Sequence, residues 1–150
     1  ITLALAWCQV GRADEALAAL EEVVDVTPYL RAVRALARAM TADPSGSVDD
    51  AERVESDPGA SYLDRVIAAT AGATALMQLG DRPAAVEWFD RAASTAHDAG
   101  DVVARELVAL VRSVALSEEP HQEVSHLGSG WRVVAELLGE LVANVSGEPV

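Results

Sequence analysis

The residues able to do chemistry are few and scattered. His121 and His126 stand five apart, a spacing that does not bring two ligands onto one helix face as an i, i+4 pair would. They read as two exposed histidines in a connector. The single cysteine, Cys8, sits in an apolar stretch and reads as packing. Gly128-Ser129-Gly130 lacks both the full Gly-x-Ser-x-Gly pattern of a nucleophile turn and the Lys-Ser/Thr ending of a phosphate loop, so it reads as a joint between helices. His97-Asp98 closes a helical stretch, where a cationic imidazole suits the negative end of the helix dipole. Glu21-Glu22, Asp49-Asp50 and Glu118-Glu119 are adjacent pairs. Neighbours on a helix diverge by about 100°, so such carboxylates rarely converge on one atom and belong to solvated surface. No catalytic group, metal set or cofactor site is expected, and the chain is not expected to be an enzyme.

Arg31, Arg34 and Arg38 form a different kind of candidate. They recur at i, i+3 and i+7 opposite an apolar face of Leu30, Val33, Leu36, Ala37 and Met40. Three guanidinium groups on one stripe could grip the carboxylates of an acidic peptide. The competing reading pairs them with the chain's own surplus of Asp and Glu, and that surplus makes it the expectation.

The formal net charge of -13 excludes nucleic acid and anionic membrane surfaces as expected partners, because both need a basic face. Every basic residue is Arg, a sign of GC-rich coding rather than of mechanism. One cysteine cannot close an internal disulfide, which fits a reducing cytoplasm. The apolar runs Ile1 to Val10 and Val66 to Leu79 are too short to span a bilayer and read as buried helices. Beginning at Ile1, inside an apolar helical pattern, the sequence reads as part of a longer chain.

Half of the residues are apolar, 51%, but only 4% are aromatic, so the core must be built from Ala, Leu and Val in closely packed helices. Helical periodicity runs nearly throughout, and the informative feature is where it breaks. Gly11, Gly46 and Gly80 follow apolar stretches 35 and 34 residues apart. Ala16, Ala51 and Ala85 follow them in phase, and Ala4, Ala39 and Ala73 precede them in phase. The spacing predicts helices over Ile1–Val10, Ala13–Val26, Pro28–Ala42, Val48–Ser56, Ala60–Leu79, Pro83–Ala99 and Val102–Leu116. A short helix over His121–Leu127 and a two-sided one from Trp131 to Val145 follow. The apolar stripe of the latter is Trp131, Val134, Ala135, Leu138, Leu141, Val142 and Val145.

These positions resemble the tetratricopeptide repeat. In "LALAWCQVGRADEALAALEEVVDVTP" the matching residues are Ala4, Trp7, Gly11, Ala16, Leu20, Val23, Val24 and Pro28; in "AGATALMQLGDRPAAVEWFDRAA" they are Ala73, Leu76, Gly80, Asp81, Ala85, Phe89 and Ala92. The copy between them, Leu30 to Pro58, is degenerate. The resemblance implies an all-α fold: a right-handed α-solenoid of three to four helical hairpins, about 1–27, 28–58, 60–99 and 102–127, closed by a capping helix over 131–146. It also implies a concave groove lined by the first helix of each hairpin. Counting back from each Gly places there Ile1, Leu5 and Cys8, then Val33, Leu36 and Met40, then Ile67, Thr70, Thr74 and Met77. The partner-binding residues expected on this basis are Leu5, Val33, Leu36, Met40, Thr70, Thr74 and Met77, with the arginines outside the groove.

The long third hairpin and the "STAHDAGDVVARELVALV" continuation are similar to the extended repeats attached to bacterial ATPase-type transcription activators and to repeat-bearing nucleotide cyclases. That likeness implies a cytoplasmic regulatory or sensing arm that binds a protein or peptide segment, including another domain of its own chain. The alternative is a scaffold that self-associates, as a homodimer, through the groove or the last helix. The last helix either caps the final hairpin or fills the groove.

Overall fold

The computed structural model describes residues 12–41 and 43–117. Within them every regular element is an α-helix: α1 Ala13–Glu21, α2 Pro28–Met40, α3 Pro44–Ser56, α4 Tyr62–Gln78, α5 Arg82–Asp98 and α6 Val102–Ser117. The all-α class expected above is observed. The helices expected over 1–10, 121–127 and 131–146 lie outside the described residues, as do Leu5, Cys8, His121, His126 and the Gly128-Ser129-Gly130 joint.

From α2 onward each helix start has a local cause. Thr27 accepts from the Leu30 amide at 3.2 Å, with Pro28 in the first turn of α2. Asp43 caps α3 through the Gly46 amide at 3.0 Å, with Pro44 behind it. Ser61 and Asp64 form a reciprocal capping box on α4, at 3.2 and 2.8 Å. Asp81 and Asp101 cap α5 and α6 through the amides of Ala84 and Ala104. The ends of α4 and α5 are set by Gly80 and Gly100, at φ +81 and +71. Beyond them the amides of Asp81 and Asp101 reach back to the carbonyls of Leu76 and Ala96, both at 3.0 Å, which closes the last turns.

Two expectations are corrected here. Gly46 does not end a helix; it lies in the first turn of α3, where the capping carboxylate folds over it so closely that a Cβ would collide with Asp43 Oδ2. The asparagine-free, glycine-free break before it is made by Thr41 in extended backbone and by the Asp43-Pro44 cap. The first of the described helices stops at Glu21 and not at Val26. Val23, Val24 and Val26 are β-branched, Val24 is 94% exposed with nothing to hold it, and Pro28 disfavours helix in the residue before it.

Consecutive helices pack against each other along the whole described chain, and in addition α2 packs on α4 and α4 on α6. No such contact joins α1 to α3 or α3 to α5. The described helices therefore form two layers, with α2, α4 and α6 side by side in one and α1, α3 and α5 set against it in the other.

The orientation of α4 within this arrangement can be read from three contacts. A Cβ on Gly72 would meet Ala51 of α3 at 3.0 Å and the Trp88 ring of α5 at 3.1 Å, so the Gly72 side faces the α3/α5 layer. Successive residues turn by about 100°. Gln78, to one flank, donates to the Ala39 carbonyl of α2 at 2.6 Å. Tyr62, to the other, donates to Asp101 at the start of α6 at 3.2 Å. The remaining side, opposite Gly72, carries Leu63, Ile67, Thr70, Thr74 and Met77.

Small residues make this packing possible, since Ala51, Gly72, Ala85 and Ala92 let the axes approach while Phe89 and Trp88 fill the space between layers. Gly72→Val, which forces a branched side chain between Ala51 and Trp88, should cost about 1 to 3 kcal/mol. Gly80→Ala, with nothing within 4 Å of the new Cβ, should lose only about 1 to 2 kcal/mol through its left-handed backbone. Urea unfolding followed by circular dichroism separates the two, and equal losses would show that contact at Gly72 is not what limits the approach.

Candidate functional site

The two faces of α2 have opposite chemistry, and each carries one of the candidate sites. On the first, Arg34 grips Asp50 of α3 with two parallel hydrogen bonds, Nε to Oδ2 at 2.7 Å and Nη2 to Oδ1 at 2.6 Å. Arg38 adds a third, from Nη1 to Oδ2 at 2.9 Å, and also donates to the Gly46 carbonyl at 3.3 Å. Asp43 and Glu21 lie 3.4 and 3.8 Å from the same Arg38 guanidinium. Asp50 is 1% exposed, and a lone carboxylate at that depth would be costly; two guanidinium groups compensate it. The hydrogen bond to Asp50 raises the Arg34 pKa, outweighing the lowering by burial. This stabilisation is therefore complete below the ordinary arginine range and is lost only as pH climbs above it.

The stripe of arginines is thus consumed by the chain's own acids, as the excess of Asp and Glu implies. Arg31 is the least committed, with Asp57 at 4.0 Å and its Nε buried without a hydrogen-bond partner. It opens with Asp49, Glu52, Arg53, Ser56 and Asp57 onto a polar trough of about 580 Å³. Arg65 of α4 fastens the end of α3 beside it, donating to the carbonyls of Glu55 and Asp57 at 2.7 and 2.8 Å. The Asp49-Asp50 pair, expected on solvated surface, is corrected in half: Asp49 is exposed while Asp50 is the buried centre of the cluster. The signal was present in Ser47, Asp50, Ala51 and Val54, which recur at i, i+3, i+4 and i+7 and are all buried. Ser47 completes the seam by donating to the Ala35 carbonyl at 2.7 Å.

The opposite face of α2 carries Tyr29, Val33, Leu36 and Met40. Of the groove positions expected from sequence, Val33, Leu36 and Met40 stand on α2 and Thr70, Thr74 and Met77 on α4, while Leu5 lies outside the described residues. They are not open: Val33, Leu36, Ile67 and Thr70 are fully buried, Thr74 and Met77 nearly so, and Met40 half-buried. The threonines add no polarity, since Thr70 and Thr74 each donate to the carbonyl four residues back, at 2.6 and 2.9 Å. At the end of α5, Arg105 Nη1 lies 3.2 Å from His97 Nδ1. Among the described residues no group of three or more His, Cys, Asp or Glu is placed to hold a metal ion, and no helix is long and apolar enough to cross a membrane.

Comparison with family models, with curated proteins and with solved structures finds no match to this chain.

Truncating Asp50 leaves two buried-side guanidinium groups without their carboxylate. Asp50→Ala should lose about 3 to 5 kcal/mol of stability. Arg34→Lys keeps the charge but cannot reproduce the two-pronged contact, and should lose about 1 to 2 kcal/mol. Denaturant midpoints of the two variants test this, and an Asp50→Ala protein as stable as the parent would remove the cluster from its structural role.

Proposed function

We propose that this chain is a tetratricopeptide-like binding module, a right-handed stack of helical hairpins that holds a protein or peptide segment on its α2/α4/α6 layer rather than catalysing a reaction. The observation that carries the reading is the layer pattern: among the described helices α2 touches α4 and α4 touches α6, while α1, α3 and α5 touch only the described helices adjacent to them in sequence. A stack of hairpins has this property, because each first helix meets the next first helix while each second helix is held outside. On this reading Val33, Leu36 and Met40 line up with Thr70, Thr74 and Met77 on one apolar face, suited to an amphipathic helix or an apolar peptide. In this reading the module is a regulatory or sensing arm of a larger cytoplasmic signalling or transcription-regulatory protein, of bacterial type.

A second reading, self-association as a scaffold, is favoured by one observation. Val103 and Leu110, seven residues apart on one stripe of α6, are 52% and 51% exposed, and Val102 beside them is 56% exposed. Sedimentation of the purified chain distinguishes the two: a monomer at all concentrations rejects the scaffold, and a stable dimer dispersed by Leu110→Glu supports it.

The binding reading is tested by display selection of peptides on the full chain. Recovered peptides should carry apolar residues at i, i+3 or i+4 and i+7. Met40→Glu, at a half-buried position, should weaken them by about tenfold or more with helicity unchanged. Peptides that bind Met40→Glu equally well would place recognition elsewhere.

A further inference from the structure

Around the α2/α3 seam one guanidinium stands apart from its neighbours. Arg34, Arg38 and Arg65 each hold an oxygen at 2.9 Å or closer. Arg31 makes no hydrogen bond: its charged neighbour, Asp57, is 4.0 Å away, and its Nε is buried with no acceptor. That gap is built in. Asp57 accepts from the Gly59 amide at 2.9 Å, and its carbonyl accepts from Arg65 at 2.8 Å, which holds the carboxylate back from closing it. With its side chain only 22% exposed, Arg31 is a cation that water screens less than it screens the open surface.

The trough that Arg31 lines is otherwise formed by the outward stripe of α3. Asp49, Glu52, Arg53 and Ser56 recur there at i, i+3, i+4 and i+7, back to back with the buried Ser47, Asp50, Ala51 and Val54. Asp49 and Arg53, acid first and four apart, have the order that pairs most readily on a helix. Yet within the described residues neither they nor Glu52 make a side-chain hydrogen bond or ion pair. Acids thus stand at one end of the stripe and guanidinium groups toward the other, with Asp49 and Arg53 about 6 Å apart along the helix axis.

We propose that this trough is a second docking site, which takes a helical peptide segment carrying an acidic and a basic side chain four residues apart. The acid is received by Arg31 and Arg53, and the base by Asp49 and Glu52. Four helical residues in the ligand rise by the same 6 Å or so that separates the two ends of the stripe. The mixture of charges selects the ligand. Two cations and three anions line the trough, so a wholly acidic segment meets Asp49, Glu52 and Asp57, and a wholly basic one meets Arg31 and Arg53. Because the arginine side of α2 faces away from Val33, Leu36 and Met40, this site is separate from the apolar face of the binding reading.

The test uses the full chain and blocked, alanine-rich helical peptides whose one charged stripe carries Lys and Glu four apart, in both orders, or only Glu, or only Lys. Titration followed through the arginine side-chain Nε–H signals by NMR should show a mixed-charge peptide moving Arg31 and Arg53, and neither single-charge peptide doing so. Arg53→Glu, at an exposed position, should weaken the mixed peptide by about tenfold with helicity unchanged. Arg82→Glu changes the net charge equally at an exposed site on α5 and should leave the affinity as it was. Met40→Glu should also leave it unchanged, which keeps this result apart from the test of the apolar face.

Failure of both mixed peptides to bind overturns the proposal, as does equal or tighter binding of the all-Lys peptide, which would reduce the site to attraction by an acidic chain. Equal losses from Arg53→Glu and Arg82→Glu overturn it for the same reason. A loss confined to Met40→Glu overturns it by moving the peptide to the apolar face.

Discussion

From Val66 to Met77 every residue of α4 is withheld from water, and a helix in that condition has to be surrounded. It has no polar side to turn outward. Its own composition makes the enclosure feasible, since five of those residues are Ala, one is Gly and the two Thr satisfy their hydroxyls internally. Neighbouring axes can therefore come close on every side. The positions of α2, α3, α5 and α6 follow from that requirement, and Gly72 marks where it is tightest, between Ala51 and Trp88.

Charge is arranged to serve the same enclosure. The Arg34, Arg38 and Asp50 cluster sits at the seam between α2 and α3, where an apolar contact would hold the helices without fixing their rotation. Two hydrogen bonds from a rigid guanidinium to one carboxylate permit a single register. With its arginines directed at α3, α2 must turn Val33, Leu36 and Met40 to the other side. The seam and the proposed binding face are thus two consequences of one helix orientation. A change at Asp50 is expected to reach the groove without touching it, through the rotation of α2.

The local signals carried far because they are short-range. Caps at Thr27, Asp43, Ser61, Asp81 and Asp101, prolines in first turns and glycines at Gly80 and Gly100 each act within a few residues. Element starts from α2 onward were therefore readable to within a few residues. Where the reading failed, a non-local or competing effect intervened. Gly46 matched the repeat spacing but serves a cap, because an Asp-Pro pair three residues earlier can start a helix as well as glycine can end one. The valines after Glu21 had helical spacing but no surface to bury them.

Helix identity, approximate boundaries and the apolar pattern of each face are properties of neighbouring residues, and the order of amino acids specified them. It also specified that the arginines would find acids in their own chain, because charge surplus is a matter of composition. Which acid it would be was another matter: Asp50 and Asp49 are chemically alike, and only the rotation of α3 against α2 buries one and exposes the other. The same holds for the groove. Spacing could name Val33, Leu36, Thr70 and Thr74, but whether such a face lies open or covered depends on what else in the folded chain reaches it, and that is settled by contacts between residues far apart in sequence.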